Sequence, residues 1–269
     1  MNNNPIGIFD SGLGGLTVLS ELTKLLPAED TIYLGDTAHV PYGTKSSETV
    51  TRYSLEIADF LSGLGIKLLV VACNTASAYA IDRLTEVLDI PVIGVIEPGA
   101  RKAVDTTTSG KIGIIGTEGT IRSKAYTEAI KEIDPVIQVH SKACPLFVSL
   151  AEEGFLDNTI AELTAKEYLA EFGRLDIDTL VLGCTHYPLL KGVISKTLGA
   201  GVRLIDSAEA TASEVSQVLR VEGLLSEDNS GGKAAHSFYV TDSPKRFMRV
   251  GRNFLNGSPF TAELVTLGS

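Results

Sequence analysis

Two cysteines lie in matching settings 111 residues apart: Leu68-Leu69-Val70-Val71-Ala72-Cys73-Asn74-Thr75 is answered by Thr179-Leu180-Val181-Leu182-Gly183-Cys184-Thr185-His186. Each run is apolar, ends on a small residue and a thiol, and continues into short side chains that hydrogen-bond. In a parallel α/β sheet such a run reads as a central strand, and ligands bind at its carboxyl end. Thiols on two equivalent strand ends, facing one cleft, would set an acid on one side of a carbon and a base on the other. The short polar sequences after the strands predict exposed thiols. The helices expected next predict a dipole that lowers their pKa from a reference near ~8.5.

Other chemistries fit this pattern less well. A lone buried cysteine behaves as a small hydrophobe, the reading given to Cys144 in Ala143-Cys144-Pro145. Two cysteines and His186 without short paired spacing make a poor zinc site, and no residue is assigned to a metal. A cysteine hydrolase needs one nucleophile and a histidine base, which leaves the second cysteine unexplained. His186 itself either orients or protonates a partner, or is a satisfied histidine at a strand end.

Three further segments border the same end of the sheet. Asp10-Ser11-Gly12-Leu13-Gly14-Gly15 follows the first strand and opens a helix, where glycines admit close backbone approach and the helix start favours an anion. It lacks the G-x-G-x-x-G spacing and a phosphate-binding lysine, which argues against nucleotides. Gly116-Thr117-Glu118-Gly119-Thr120 is its counterpart, able to hold a carboxylate or to cap the next helix; capping is assigned to Thr120, and Thr117 stays between the two readings. Gly35-Asp36 with Pro41-Tyr42-Gly43 forms a loop after the second strand.

These motifs sit in a regular alternation of short apolar runs and helical patterns. Strands are expected over Ile6–Phe9, Thr31–Leu34, Lys67–Ala72 and Pro91–Ile96, with helices over Leu16–Leu26, Ser46–Gly63 and Ala76–Leu88. The pattern restarts with strands over Lys111–Ile115, Val136–Val139, Thr179–Leu182 and Val202–Ile205, and helices around Ser123–Glu132, Asn158–Gly173 and Leu189–Leu198. Offsets of 106 and 111 residues recur between the halves, pointing to an internal repeat. A helix over Ser207–Leu225, a polar loop over Ser226–Lys233, a strand over Ser237–Val240, a helix over Pro244–Phe254 and a strand over Ala262–Leu267 complete the chain. The expected fold is α/β: two similar domains whose mostly parallel sheets face each other across a central cleft. Residues 1–97 with 207–269 form the first domain and 98–206 the second.

Composition narrows the function. The chain has 269 residues, 44% of them hydrophobic, enough for one or two packed domains. A net charge of -10 and the lack of a basic run argue against nucleic acid and anionic membrane as partners. Three cysteines with no CxxC, no visible signal peptide and no long apolar stretch predict a cytoplasmic protein.

Taken together, Asp10 to Gly15, Gly35-Asp36-Thr37-Ala38 with Pro41-Tyr42-Gly43, Cys73-Asn74-Thr75-Ala76 and Gly183-Cys184-Thr185-His186-Tyr187-Pro188 resemble the glutamate racemases of the cofactor-independent Asp/Glu racemase family. Cys144-Pro145-Leu146 and Glu152-Glu153-Gly154 are similar as well, and the resemblance runs from Pro5 to about Ser207. His39 departs from it, standing where many members carry arginine.

The resemblance implies an isomerase that makes D-glutamate from L-glutamate for peptidoglycan, without a cofactor. It implies that Cys73 and Cys184 are the acid/base thiols, that Asp10 and His186 assist them, and that Asp36 and Glu152 stand behind as polar partners. It further implies substrate contacts at Asp10, Ser11, Tyr42, Gly43, Asn74, Thr75, Thr117, Thr185 and His186. Racemisation of aspartate or a hydantoin, and a non-catalytic two-lobed binding protein, are the alternatives. The oligomeric state is open, a homodimer among the options.

Overall fold

The computed structural model describes residues 3–226, 234–255 and 257–268. The polar loop expected over Ser226–Lys233 therefore lies outside the described residues after Ser226.

The first lobe begins with β1 (Ile6–Asp10), α1 (Leu16–Leu25), β2 (Thr31–Gly35), α2 (Ser47–Gly63), β3 (Leu68–Val71), α3 (Asn74–Val87) and β4 (Val92–Gly94). Next come α4 (Ile96–Thr106), β5 (Lys111–Gly116), α5 (Glu118–Ser123), α6 (Ala125–Ile133), β6 (Gln138–Ala143), α7 (Leu146–Glu152), α8 (Thr159–Leu169), β7 (Thr179–Gly183), α9 (Lys191–Leu198) and β8 (Arg203–Asp206). The chain ends with α10 (Ser207–Val221), β9 (His236–Val240), α11 (Pro244–Gly251) and β10 (Glu263–Leu264).

Two sheets result, one of six strands ordered β10-β9-β2-β1-β3-β4 and one of four ordered β6-β5-β7-β8. Every strand pair is parallel, as βαβ crossovers require. The order 2-1-3-4 recurs as 6-5-7-8, so the internal repeat is a repeat of topology. β9 and β10 extend the first sheet beyond β2.

Both faces of each sheet are covered, which is why the central strands are apolar at consecutive positions. Along β3, Leu68 and Val70 join the core beneath α1, α10 and α11, while Leu69 and Val71 join the core beneath α2 and α3. Along β7, Leu180 and Leu182 face the α7–α9 side and Val181 the α4–α6 side. The period of two carries each thiol onto a defined face: Cys73 continues the Leu69–Val71 row and Cys184 the Leu180–Leu182 row. At the opposite, amino end of the first sheet, Lys67 and Glu29 form a buried ion pair at 2.5 Å, and Glu29 also accepts hydrogen bonds from the amide and hydroxyl of Ser226.

Several expected boundaries shift. The strand expected over Pro91–Ile96 stops at Gly94, and Ile96 opens α4, which packs on α6 and α10. The strand expected over Val136–Val139 is β6, Gln138–Ala143; as an edge strand it is half solvated and carries no apolar run to reveal it. The helix expected over Asn158–Gly173 ends at Leu169 and gives way to a 3-10 turn at Phe172–Arg174. α7 was not foreseen.

Candidate active site

The carboxyl ends of the central strands in both sheets border one cavity. From the first lobe it is lined by Ser11, Tyr42, Gly43, Cys73, Asn74 and Thr75. From the second come Thr117, Cys184, Thr185 and His186. The lobes meet so tightly that only about 30 Å³ is left between them, room for a water or two and not for an amino acid. Gly14 makes part of this closeness possible: a Cβ there would collide with the side chains of Thr185 and His186.

Both thiols are buried rather than exposed, because each lobe roofs the other; Cys73 is 6% and Cys184 5% accessible. Cys73 is the N-cap of α3, as expected, but the expected fall in its pKa does not follow. Burial pushes the thiol up to about 12, the charge of Asp10 adds to this, and hydrogen bonds involving Ala76 and Ser11 offset only part. Cys184 does not cap an α-helix; a 3-10 turn, Tyr187–Leu190, precedes α9.

Next to Cys184 stands a polar relay. Nδ1 of His186 is 3.9 Å from Sγ of Cys184, and its Nε2 is 3.2 Å from Oε1 of Glu152. Burial opposes protonation of this imidazole. The hydrogen bonds to Cys184 and Glu152, with the charges of Cys184 and Asp10, outweigh it and raise the pKa to about 10. In return, the hydrogen bond from His186 holds the Glu152 carboxyl below its ordinary value, helped by Arg246. At neutral pH a cation thus sits beside the sulfur of Cys184.

Asp10 spans the two lobes. Its Oδ2 accepts from the Gly12 amide at 2.8 Å, and its Oδ1 accepts from the Thr185 hydroxyl at 3.3 Å. Burial raises its pKa, opposed by His186 and by the amides of Gly12 and Gly15. Asp10 is fully buried behind the loop and does not line the cavity.

Asp36 and Glu152 also lie behind the lining. Asp36 accepts from the Tyr42 hydroxyl at 2.5 Å and the Thr241 hydroxyl at 2.8 Å, and sits 2.9 Å from Nδ1 of His39. It fixes the tyrosine that forms the wall. His39 stacks on Tyr53 with ring centroids 4.1 Å apart.

The two threonine turns join across the lobes. The hydroxyls of Thr75 and Thr117 are 2.9 Å apart, and Thr120 completes a triangle at 3.2 and 3.1 Å. Capping falls to Thr117, whose hydroxyl accepts from the Thr120 amide, and not to Thr120; Thr117 holds the cap and faces the cavity at once. Asn74 accepts from the Tyr126 hydroxyl through Oδ1 at 2.8 Å, while its buried Nδ2 has no hydrogen-bond partner among the described residues.

Sequence reasoning missed Val40 and Val148 in the lining, while Pro41 lies there with the loop expected to border it. Val148 stands four residues before Glu152 on α7, so a helix drawn through Glu152 would have placed both on one face. Cys144 keeps its expected role as a buried apolar residue, its thiol pushed up to about 12 by burial. Among the described residues, no group of three His, Cys, Asp or Glu side chains is arranged to hold a metal ion, and no helix is long and apolar enough to cross a membrane. A larger pocket of about 370 Å³ between α4 and α10 has no thiol, and its Arg101–Glu214 and Lys191–Asp206 charges are already paired.

A sequence profile of the Asp/Glu/Hydantoin racemase family matches residues 6–215. The chain is 62% identical to the glutamate racemase of Geobacter metallireducens over 252 residues, covering 94% of this chain and 93% of that one. The crystal structure of a Bacillus anthracis glutamate racemase superposes with a TM-score of 0.95 at 44% identity, covering 99% of this chain and 98% of that one. That of the Francisella tularensis glutamate racemase in complex with D-glutamate does so with a TM-score of 0.92 at 43% identity, over 99% and 98% of the two chains.

Proposed function

The chain belongs to the Asp/Glu/hydantoin racemase family, and on that premise we propose that it interconverts L- and D-glutamate by proton transfer between two thiols, without a cofactor, and so supplies D-glutamate for peptidoglycan. The observation that carries this reading is that two cysteines, delivered by equivalent strands of two sheets, border one cavity.

Inversion needs one sulfur to take the α-proton while the other returns a proton to the opposite face. The two ends differ in a way that suits this. Cys73, with its thiol held up at about 12, is a proton donor at neutral pH. At Cys184 the imidazole of His186, held in its protonated form, lies 3.9 Å from the sulfur and can hand it a proton. The resemblance to the family implies Cys184 as the base toward L-glutamate and Cys73 as the base toward D-glutamate. Because each proton state depends on the other, the thiols titrate as a coupled pair.

The α-proton of an amino acid is weakly acidic, so the site must also stabilise the developing negative charge. General acid–base catalysis supplies about 10²–10⁴-fold, and oriented donors around the substrate supply the larger share. Ser11, Asn74, Thr75, Thr117 and Thr185, with the Gly43 backbone, are the groups available for that, and the unpartnered amide of Asn74 is an unused donor of this kind. Asp10 ties the Gly12 turn of the first lobe to Thr185 of the second, Asp36 secures Tyr42, and Glu152 secures His186. The lobes must part to admit substrate, with 1–97 plus 207–269 moving as one domain and 98–206 as the other. One chain lines the whole cavity, so a homodimer is compatible with activity but not required by it. Three free cysteines suit the cytoplasm.

Incubation with L-glutamate in D₂O, with no added cofactor, tests the reading. The circular dichroism signal should decay to zero, and early D-glutamate should carry α-deuterium while the remaining L-glutamate stays largely protiated. Labelling of the L-pool at the rate of product formation would count against two opposed thiols, and a constant signal against racemisation.

A further inference from the structure

Resting on the racemase reading, we propose that Arg246 is a positioning residue for Cys184, acting from the first lobe through Glu152 and His186 when the cleft is closed. The observation behind this is a four-membered chain that crosses between lobes. A guanidinium nitrogen of Arg246 lies 2.9 Å from Oε2 of Glu152, whose other oxygen holds Nε2 of His186 at 3.2 Å. Nδ1 of the same ring reaches Cys184 at 3.9 Å.

The two ends of that chain belong to different lobes. Arg246 is on α11, and its neighbour Phe247 packs that helix onto Tyr33 of β2 and onto Phe260. Glu152 ends α7, and Cys184 follows β7 of the other sheet. The tail meets His186 a second time, independently: Phe254 presents its ring edge-on at 5.6 Å. The carboxylate therefore has one oxygen for each lobe, and only a closed cleft satisfies both. Parting the lobes removes Arg246 from Glu152 and leaves the carboxylate free to pivot away from the imidazole. Closure thus aligns His186 at the moment the substrate is enclosed.

The charges facing Glu152 are His186 from the β7 loop and Arg246 from α11, with Cys184 and Asp10 around the far side of the ring. Loss of the Arg246 cation makes the ionised form of Glu152 less favourable. Arg246→Gln in the full chain should leave thermal unfolding near that of the parent, because the side chain is half exposed. Its kcat/KM should fall by up to about fivefold, the range of a half-exposed ion pair, and the acid limb of the pH profile should move to higher pH. Arg246→Lys, which keeps the charge, should restore the limb. In a Glu152→Gln background, Arg246→Gln should have no further effect. An unmoved acid limb, or effects of the two substitutions that simply add, overturns the proposal. If the parent racemises glutamate and Arg246→Gln is indistinguishable from it, this inference alone falls. If the parent does not racemise glutamate, the functional reading falls and takes this one with it.

Discussion

The hydroxyl of Tyr126, in the second lobe, donates to Oδ1 of Asn74, in the first, across 2.8 Å, and so decides that the amide nitrogen is the end left without a partner. Leaving a buried donor unsatisfied costs about 1–3 kcal/mol, which a substrate oxygen would recover on binding. Asn74→Ala should therefore lower kcat/KM for glutamate by about tenfold or more, within the range that energy implies. Tyr126→Phe keeps the donor but frees the amide to turn, and should act mainly on KM. Steady-state kinetics of both variants check this; an Asn74→Ala enzyme with parental kcat/KM would remove the residue from the substrate-binding set.

Replacing either sulfur should separate the two half-reactions. Cys73→Ser and Cys184→Ser should each lose racemisation by at least about 10²-fold, since a hydroxyl is a far weaker base at neutral pH. Elimination from a substrate analogue with a good leaving group needs one base only. Each variant should retain it toward one enantiomer: Cys184 intact for the L-form, Cys73 intact for the D-form. Racemisation at the parental rate in either variant would refute the two-thiol mechanism.

The buried titrating groups set a pH window for stability. His186 is raised from 6.5 to about 10, so the folded state holds a proton that the unfolded chain has lost; that contribution is complete below 6.5 and vanishes as pH rises through about 10. Cys73, raised from 9.0 to about 12, acts in the same direction at higher pH. Glu152 acts oppositely: lowered from 4.5, it stabilises above that value and ceases to as pH falls through its depressed pKa. Tm should thus decline from pH 6.5 toward 10, and His186→Asn should flatten that decline. A parental protein whose Tm is constant over this interval would show that His186 is not held protonated.

Much of this arrangement was legible in the chain, for reasons visible in particular residues. Leu68–Val71 and Thr179–Gly183 are buried on both faces, so burial alone demands apolar residues at consecutive positions and marks them as central strands. A thiol directly after such a run must arrive at the carboxyl end of the sheet, and Cys73 and Cys184 do. β6 was blurred because an edge strand is under weaker demand, and α7 because Leu146–Glu152 is short and partly exposed.

What the sequence determined alone is the two-sheet α/β repeat and which residues stand at its strand ends, since both follow from local periodicity. The protonation of those residues was decided only by tertiary structure. Helix position argued for a lowered Cys73 pKa, yet the closing of one lobe on the other removed water and raised it to about 12. The same closure set Arg246 beside Glu152, 94 residues away in sequence. Desolvation and charge pairing are sums over everything nearby in space, and no spacing along the chain encodes them.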